Sequence, residues 1–403
     1  MVKAHSLLYA IYVCLIVSLL CGALLYITNM YSQLNLFYVT HEELYIHNQS
    51  LVNYALGNIE GQEPMPQEEN TILADYSTKQ FGLFTLLLAK SFIKNDTITS
   101  AHFAGQYAAD DTCIYLANYS KGLSYSGNVT LNGKKQLPSL NIEELFIDNQ
   151  PNSLTEKGEI KLSINDLPAL NSRFKDVFGL PEGNIISLKD IEMEKDSLYY
   201  NSFTAQTKMV RIGGETLGNI IIKGNFVLYF PDSVYIKKSA VLEDVIIHAP
   251  KVTFEDGFSG TVQVFATKGV RLGKDVSLLY PSALCLYNET LNESAIIADK
   301  NCRIYGGVVM FGFPPRARDN NAIEIKEGGL VVGDIYCQGK LSLNSNVYGS
   351  VYTNRFLLKT RASSYDNCIA NIEINVSKRP DYFISLPLFP NNTRRYGLSK
   401  KVM

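Results

Sequence analysis

The sequence of 403 residues contains no tryptophan, only five histidines and, among seven cysteines, no CxxC pair. No cysteine or histidine spacing typical of a zinc site occurs either. A formal net charge of −2 excludes the basic domain that nucleic-acid binding requires. Glycine-rich phosphate loops, a G-x-S-x-G elbow and an H-E-x-x-H helix are also missing. We therefore expect no catalytic residues, no cofactor, no metal and no nucleic-acid partner.

One long stretch near the N-terminus lacks charge. Positions 7–27 form an uncharged, mostly apolar run, which is long enough to cross a bilayer as a helix. Signal peptides typically have a shorter apolar core and a cleavage site of small residues, so we interpret the run as an uncleaved anchor. Lys3 precedes it and the next basic residue is Lys79, which places the N-terminus in the cytoplasm. The bulk of the chain is then expected in a bacterial periplasm or at the cell surface.

The helical pattern continues beyond this run. Apolar residues recur every three or four positions as far as Ile59, and Gly57 is expected to end the helix. A helix over residues 6–56 would be about 75 Å long at 1.5 Å per residue. Its second half would carry an apolar face that needs a partner, either the downstream domain or the same helix in neighbouring copies. We assign 1–60 to a transmembrane and stalk helix, and the polar segment 61–70 to a linker.

A six-residue period dominates the middle of the chain. An apolar residue stands at every sixth position from 222 to 276, and most positions two residues later are apolar too. The ten positions are Ile222, Leu228, Val234, Ala240, Ile246, Val252, Phe258, Val264, Val270 and Val276. Each apolar-x-apolar triplet is typical of a short strand with one face inward, and glycine, aspartate, lysine and proline between the triplets suit corners. A fixed pitch predicts a β-solenoid, because identical corners stack coil upon coil.

The period returns at 296–310 and 323–347, after breaks at 279–295 and 311–322 that we interpret as outward loops. Cys302 and Cys337 occupy inward positions and are expected to be buried thiols. The predicted fold is mainly β, a parallel β-helix with a long N-terminal helix. The predicted domains are a strand-rich α+β module at 71–205, the β-solenoid at 206–358, and a C-terminal cover and tail at 359–403.

One surface segment carries enough charge to suggest a site. Arg316, Arg318 and Asp319 follow two prolines in the second break, and Asp299 or Glu324 could lie nearby. Carbohydrate-active β-helix enzymes cluster carboxylates or basic residues on an outer face for acid–base chemistry. The alternative interpretation is an exposed corner loop that happens to be charged, and we expect no enzymatic activity.

Two resemblances bear on function. The segment 1–60 resembles the type IV pilin and pseudopilin plan, in which a short basic leader and an apolar helix precede a β-rich head. The segment 211–358 resembles bactofilin-type polymer-forming β-helices, with V-x-I/L triplets and the phrases Gly333-Asp334-Ile335-Tyr336 and Gly349-Ser350-Val351-Tyr352. Hexapeptide acyltransferases share the pitch but favour a small or acidic residue after each aliphatic, where this chain has Ile247, Thr253 and Phe265. The resemblances imply an assembling protein of the cell envelope.

From these patterns we predict a membrane-anchored scaffold or assembly protein and, as the sharper version, a pseudopilin-like component of a secretion or surface-appendage system. Its expected partners are the membrane and other proteins, or further copies bound through the stalk helix. A carbohydrate-active β-helix enzyme and a glycan-binding or adhesive module stay open as alternatives, and a glycan is then the expected ligand.

Overall fold

The computed structural model describes residues 4–59, 61, 63–66, 72–107, 111–147, 151–179, 185–191, 197–290, 292–312, 317–390 and 395–402. The protein is mainly β, with half of the chain in strands, and has one long apolar N-terminal helix, as predicted. Six of the parallel strands close into a barrel-like sheet. The chain forms two compact units: Met1–Ser77 with Leu88–Ser100, and Thr78–Leu87 with Ala101–Met403.

The described helices are α1 (Ala4–Gly57), α2 (Arg173–Asp176) and α3 (Ala317–Asn320). The first described strands are β1 (Leu73–Phe81), β2 (Phe84–Ile93), β3 (Asp96–Gln106), β4 (Thr112–Leu116), β5 (Ser124–Ser126), β6 (Asn128–Asn132), β7 (Lys134–Leu137), β8 (Glu143–Glu144), β9 (Ser153–Lys157), β10 (Ile160–Leu162), β11 (Ile186–Ser187), β12 (Leu198–Asn201), β13 (Lys208–Arg211), β14 (Thr216–Leu217) and β15 (Ile221–Gly224).

The remaining described strands are β16 (Phe226–Tyr229), β17 (Val234–Ile236), β18 (Val241–Phe254), β19 (Ser259–Leu272), β20 (Ser277–Asn288), β21 (Ser294–Ala298), β22 (Arg303–Gly312), β23 (Asn321–Ile325), β24 (Leu330–Leu343), β25 (Asn346–Tyr348), β26 (Val351–Lys359), β27 (Ser364–Asp366), β28 (Cys368–Ala370), β29 (Glu373–Asn375) and β30 (Tyr396–Lys401).

In the first unit, α1 ends at Gly57, the residue predicted to stop it. Its large apolar side chains from Leu7 to Val39 are exposed, and burial begins only at Leu44. From there the buried positions recur at helical spacing, as Leu44, Asn48, Leu51, Val52 and Ala55. The Asn48 amide donates to the Ala89 carbonyl at 3.1 Å, and Ser100 Oγ donates to Asn48 Oδ1 at 2.6 Å. The last turns of the helix are therefore fixed to strands of their own unit.

In the second unit, the six-residue positions form in-register columns of parallel strands. Val234 pairs with Val252 and Val252 with Val270, each three hexads further on, and the column continues through Ile296, Ile323 and Leu341. All ten of the predicted hexad positions from Ile222 to Val276 are buried. Stacked β-branched and aliphatic side chains of this kind bury a continuous apolar interior between the strands.

Ile246, one of the predicted hexad positions, does not point into the main core as predicted. The pairing of β18 with β19 shifts by a residue between Glu243 and Val245. As a result Val245 and Ile247 belong to the main core, whereas Ile246 is buried outside it. Because strand side chains alternate between faces, the extra residue moves the following side chains to the opposite face, until a second shift between Ala249 and Lys251 returns Val252 to the core.

The first predicted outward loop, at 279–295, is largely strand. Strand β20 continues to Asn288, and its Leu284 pairs with Val264 on one side and Val308 on the other. The pairings of β20 with β19 and with β22 shift before Ser282, so extra residues are accommodated before the strand resumes. The inward residues of β20 are therefore not spaced six positions from the preceding hexads, so the six-residue pattern in the sequence did not predict them.

The predicted module at 71–205 is not separate from the stack. Strand β26 pairs in parallel with β4, β4 with β7, and β7 with β10, in the column Val351, Ile114, Lys135 and Ile160. The neighbouring column runs through β25, β29, β6 and β9. Strands β4, β6, β7, β9 and β10, from the N-terminal part of the chain, thus extend the stack past the end of the predicted β-solenoid at residue 358. The sequence had predicted that the C-terminal segment covers this end. The last strands of the stack would otherwise present unpaired backbone groups, and these strands pair with them.

The predicted tail at 359–403 contributes strands to three sheets, including β28 to a three-stranded sheet with β5 and β8. Strand β29 belongs to the parallel stack. Strand β30 pairs antiparallel with β3 in a four-stranded sheet of order β1-β2-β3-β30. Lys400 on β30 also binds Asp244 on β18, with Nζ at 2.7 Å from Oδ2. The end of the chain is therefore paired rather than a solvated tail.

A lysine occupies one inward position among these added strands. Lys135 is fully buried in register between Ile114 and Ile160, and its ammonium donates to the carbonyl oxygens of Lys157 at 2.9 Å and Gly158 at 3.1 Å. Buried cations are tolerated only when such acceptors replace water. The polar ammonium thus lies against backbone carbonyls at the end of β9.

Replacing Lys135 by methionine is expected to lower the free energy of unfolding by about 1–3 kcal/mol, because the hydrogen bonds of the buried ammonium to the carbonyls of Gly133, Lys157 and Gly158 are lost while side-chain volume is conserved. Denaturant unfolding of the full chain in detergent measures this. The matched variant Lys157→Met removes an exposed lysine side chain and is expected to change stability by less than about 0.5 kcal/mol. Equal stability of the two variants would show that the ammonium is dispensable.

Candidate functional site

The predicted site residues are only partly within the described chain. Arg316 and the side chain of Arg318 lie outside it. Asp319 stands on α3, is exposed, and pairs through Oδ1 with Arg355 at 3.1 Å. The two carboxylates considered alongside it are paired elsewhere, Asp299 with Arg271 at 3.1 Å and with Lys326, and Glu324 with Lys359 at 3.9 Å.

The electrostatics of Asp299 argue against a general acid. Burial alone would raise the pKa of its carboxyl, but hydrogen bonds from Lys326 and Arg271 outweigh it, so the pKa lies below the usual value. A general acid for glycoside cleavage needs the opposite shift. Within the described residues, no group of three histidine, cysteine or carboxylate side chains is placed to hold a metal ion.

The cysteines of the second unit behave as core residues. Cys302 and Cys337 are buried free thiols, as predicted. Burial raises the pKa of the Cys337 thiol to about 12, despite hydrogen bonds that act in the other direction. A thiol held protonated in this way is a poor nucleophile.

Asp319 lies at the rim of a groove that the sequence did not predict. Two adjoining cavities, of about 410 and 820 Å³, share Tyr119 and Asn354 in their walls. The smaller is lined by charged side chains, among them Lys121, Asp319, Arg355 and Asp366. The larger is lined by aromatic and amide side chains, among them Phe311, Tyr336, Gln338 and Asn171. We call the two cavities together the Asn354 groove.

Asn354 is placed by a corner of the stack. Strands β24 and β26 pair at Cys337 with Thr353 and again at Lys340 with Arg355, so two residues of β24 face Asn354 alone. Such an irregularity interrupts the alternation of side chains between the two faces of a strand, so that one side chain points in a new direction. Asn354 is 4% exposed, its Nδ2 donates to Tyr119 Oη at 3.0 Å, and its Oδ1 has no hydrogen-bond partner among the described residues.

One wall of the larger cavity is formed by the segment 165–175, whose backbone is hydrogen-bonded to tyrosines on the stacked strands. The hydroxyl of Tyr115 donates to the Asp166 carbonyl at 2.9 Å, and that of Tyr336 donates to the Pro168 carbonyl at 3.1 Å. Tyr352 lies between these tyrosines, with ring centroids 6.1 and 6.5 Å away. Burial raises the pKa of Tyr336, so its hydroxyl stays a neutral donor. The wall is thus held by buried hydrogen bonds of the kind that rigidify a pocket.

The smaller cavity contains one arginine between two carboxylates. Arg355 approaches Asp319 at 3.1 Å and Asp366 at 3.7 Å. Asn367 fixes the neighbouring loop, because its Oδ1 accepts from the Phe356 amide at 3.2 Å and its Nδ2 donates to the Lys121 carbonyl at 2.8 Å. Among the described residues of this cavity, two carboxylates therefore balance the charges of Arg355 and Lys121, so the lining is charged but carries no net charge.

Sequence reasoning found Asp319 but missed Asn354 and Tyr119. Asn354 follows Val351-Tyr352-Thr353, where an asparagine is typical of any solvent-exposed corner. Its burial depends on the irregular pairing with β24 and on Tyr119, a residue far away in the chain. No local pattern carries that information.

Comparison with known proteins adds little to this geometry. No family model matches the chain. No curated protein matches it. Among solved structures, the crystal structure of the competence-associated pilin ComZ from Thermus thermophilus is similar at 9% identity over 89% of this chain and 95% of that chain. The TM-score is 0.24, too low to assign a fold or a function.

Proposed function

We propose that this chain is a membrane-anchored scaffold or assembly protein of the cell envelope, with a pseudopilin-like N-terminal helix and a parallel β-solenoid as its main domain. The observation that carries the proposal is the distribution of exposure along α1. That helix is long and apolar enough to span a membrane, and its apolar side chains from Leu7 to Val39 are exposed. Helices cross a bilayer when lipid covers such a surface.

The apolar surface of α1 is longer than a bilayer requires. Residues 7–39 would extend about 50 Å at 1.5 Å each, against a hydrocarbon thickness of about 30 Å. The side chains beyond residue 27 include Leu34, Leu36 and Phe37, each at least half exposed. We assign their cover to the same helix in neighbouring copies, because apolar surface outside lipid is stabilised by burial against a partner.

The β-solenoid is proposed on the pairing pattern. Parallel partners recur three hexads apart, in columns such as Val234, Val252 and Val270. A coil of constant length whose interior is a stack of like residues is the solenoid pattern. The bactofilin resemblance of the segment 211–358, which rests on the V-x-I/L triplets and the six-residue pitch, favours a structural rather than an enzymatic role.

A cysteine placed at Leu36 tests the helix contact between copies. Cys14 and Cys21 are exposed on α1, so both are first replaced by serine. In isolated membranes treated with an oxidant, Leu36→Cys is expected to give disulfide-linked dimers, whereas Lys157→Cys on the exposed surface of the second unit is expected to stay monomeric. Adding Phe37→Glu should suppress the dimers while the chain stays in the membrane fraction after alkaline extraction. Equal, background dimer yields at both cysteines would contradict assembly through α1.

A further inference from the structure

The Asn354 groove contains an unused acceptor. Asn354 Oδ1 is buried and lacks a partner among the described residues, although the same amide donates to Tyr119 at 3.0 Å. A buried acceptor without a donor is destabilising, so natural proteins retain few of them without a functional reason. Asn354 lies in the walls of both cavities, so a ligand in the groove can supply the missing donor.

The charges of the groove indicate a neutral ligand. Among the described residues, its walls contain three cations, Lys121, Lys175 and Arg355, and three carboxylates, Asp166, Asp319 and Asp366. Arg355 is already paired with Asp319 and Asp366. An anionic ligand would need an excess of positive charge, and a cationic ligand the reverse. Neither excess is present in the described walls.

The remaining side chains indicate a ligand rich in hydroxyl groups. Amides line both cavities, including Asn165, Asn171, Gln338 and Asn367 besides Asn354, and each carries both donors and an acceptor. Aromatic rings of Tyr119, Phe311 and Tyr336 supply apolar surface between them. A pyranose ring matches this mixture, since its hydroxyls both donate and accept while its ring faces are apolar. Specific pockets combine apolar walls with a few orienting polar groups in this way.

The geometry also disfavours a peptide. A peptide bound by strand addition needs unpaired backbone groups along a wall. In this groove the Gly312 amide is already bonded to Gln338 Oε1 at 3.0 Å, and the Tyr336 hydroxyl to the Pro168 carbonyl. The two adjoining volumes of about 820 and 410 Å³ have room for more than one sugar ring. We propose that the Asn354 groove binds a neutral oligosaccharide, with Asn354 Oδ1 accepting a hydrogen bond from it. This site is independent of the scaffold role of α1.

The full chain, held in a detergent without a sugar headgroup, tests the proposal by saturation-transfer NMR and calorimetry. The probes are cellotetraose, maltotetraose and tetra-N-acetylchitotetraose, with tetra-alanine as the peptide arm. At least one tetrasaccharide is expected to bind saturably with a stoichiometry of one, and tetra-alanine is not. Asn354→Leu, which removes the acceptor at similar volume, is expected to weaken that binding at least ~10-fold. The control Asn132→Leu removes an amide that is bonded to Asn375 outside the groove and should leave the affinity unchanged.

A second variant keeps the test decisive if Asn354→Leu fails to fold. Tyr119→Ala removes a half-buried wall that both cavities share, and is expected to weaken binding at least ~5-fold with an unchanged circular dichroism spectrum. Three results would overturn the proposal: no tetrasaccharide binds the unaltered chain, binding survives both variants, or tetra-alanine binds and the sugars do not. None of these results would affect cross-linking through Leu36.

Discussion

Replacing Gly333 by alanine is expected to lower the free energy of unfolding by about 4 kcal/mol, the sum of backbone strain and overpacking. Gly333 has a φ of +132°, a conformation that L side chains rarely adopt. A Cβ at this position would overlap the carbonyl oxygen of Gly306 on the adjacent strand β22. Gly306 is itself at φ +153° and pairs in register with Gly333 and with Ser282. Three consecutive strands of the stack, β20, β22 and β24, therefore approach so closely here that a methyl group forces their backbones apart.

Denaturant unfolding followed by circular dichroism measures this effect. Gly213→Ala is the matched control, because no atom lies within 4 Å of a Cβ built there and its φ is outside the positive region. Its stability is expected to match that of the unaltered chain within about 0.5 kcal/mol. If the two alanine variants unfold at the same denaturant concentration, the strands are not in the close contact that the structure places at Gly333.

The local periodicities of the sequence were enough to predict the stalk helix and the interior columns. Gly57 ends α1 because glycine favours the end of a helix, and a stripe of apolar residues at helical spacing leads to it. The hexads predict burial at Val234, Val252 and Val270 because identical corners keep strand length constant. Both patterns are local, so a single sequence reveals them without knowledge of distant contacts.

Pairing between distant segments could not be predicted in this way. Strand β4 reads as an isolated apolar strand, and only the structure shows that Ile114 continues the column of Val351. The apolar pattern around Ile114 is satisfied by any buried neighbour, so it does not specify β26. The same holds for Asp244, whose φ of +58° accompanies the register shift that moves Ile246 out of the main core. An extra residue in one strand does not change the amino-acid composition of the segment recognisably, so the register shift could not be predicted from it.

The candidate site was partly predictable for a related reason. Asp319 was found because charges after two prolines stand out against a polar, weakly charged background. Asn354 was not, because its burial comes from an irregular corner and from Tyr119 across the groove. The proposed binding of a sugar thus depends on an asparagine that does not stand out in the sequence and is distinguished only by its burial in the folded structure.

Two buried histidines are expected to make the protein lose stability in acid. Burial lowers the pKa of His248 to about 4, where its ring lies 5.0 Å from Phe265. Burial, and to a smaller extent Lys401, lowers the pKa of His102 to about 4, and neither ring nitrogen of His102 has a hydrogen-bond partner among the described residues. In an unfolded chain both groups would titrate near 6.5.

The sign follows from proton uptake. Between pH 6.5 and 4 the unfolded chain binds protons at both histidines and the folded chain does not, so stability is retained above pH 6.5 and falls as the pH falls toward 4. The gap between 6.5 and about 4 corresponds to about 3 kcal/mol for each histidine. Carboxylates also make the free energy of unfolding depend on pH. The quantity to compare is therefore the stability lost in acid by the unaltered chain and by each variant.

Unfolding of the full chain in detergent at pH 7.5, 6, 5 and 4 measures that difference. His248→Leu and His102→Leu are each expected to reduce the stability lost between pH 7.5 and 4 by about 3 kcal/mol, and the double variant by about twice as much, since the two sites lie on different strands and share no contact given by the structure. His41→Leu alters an exposed histidine on α1 and serves as the control, with the same acid loss as the unaltered chain. An acid loss that is the same in every variant would mean that these histidines are accessible to protons in the folded state.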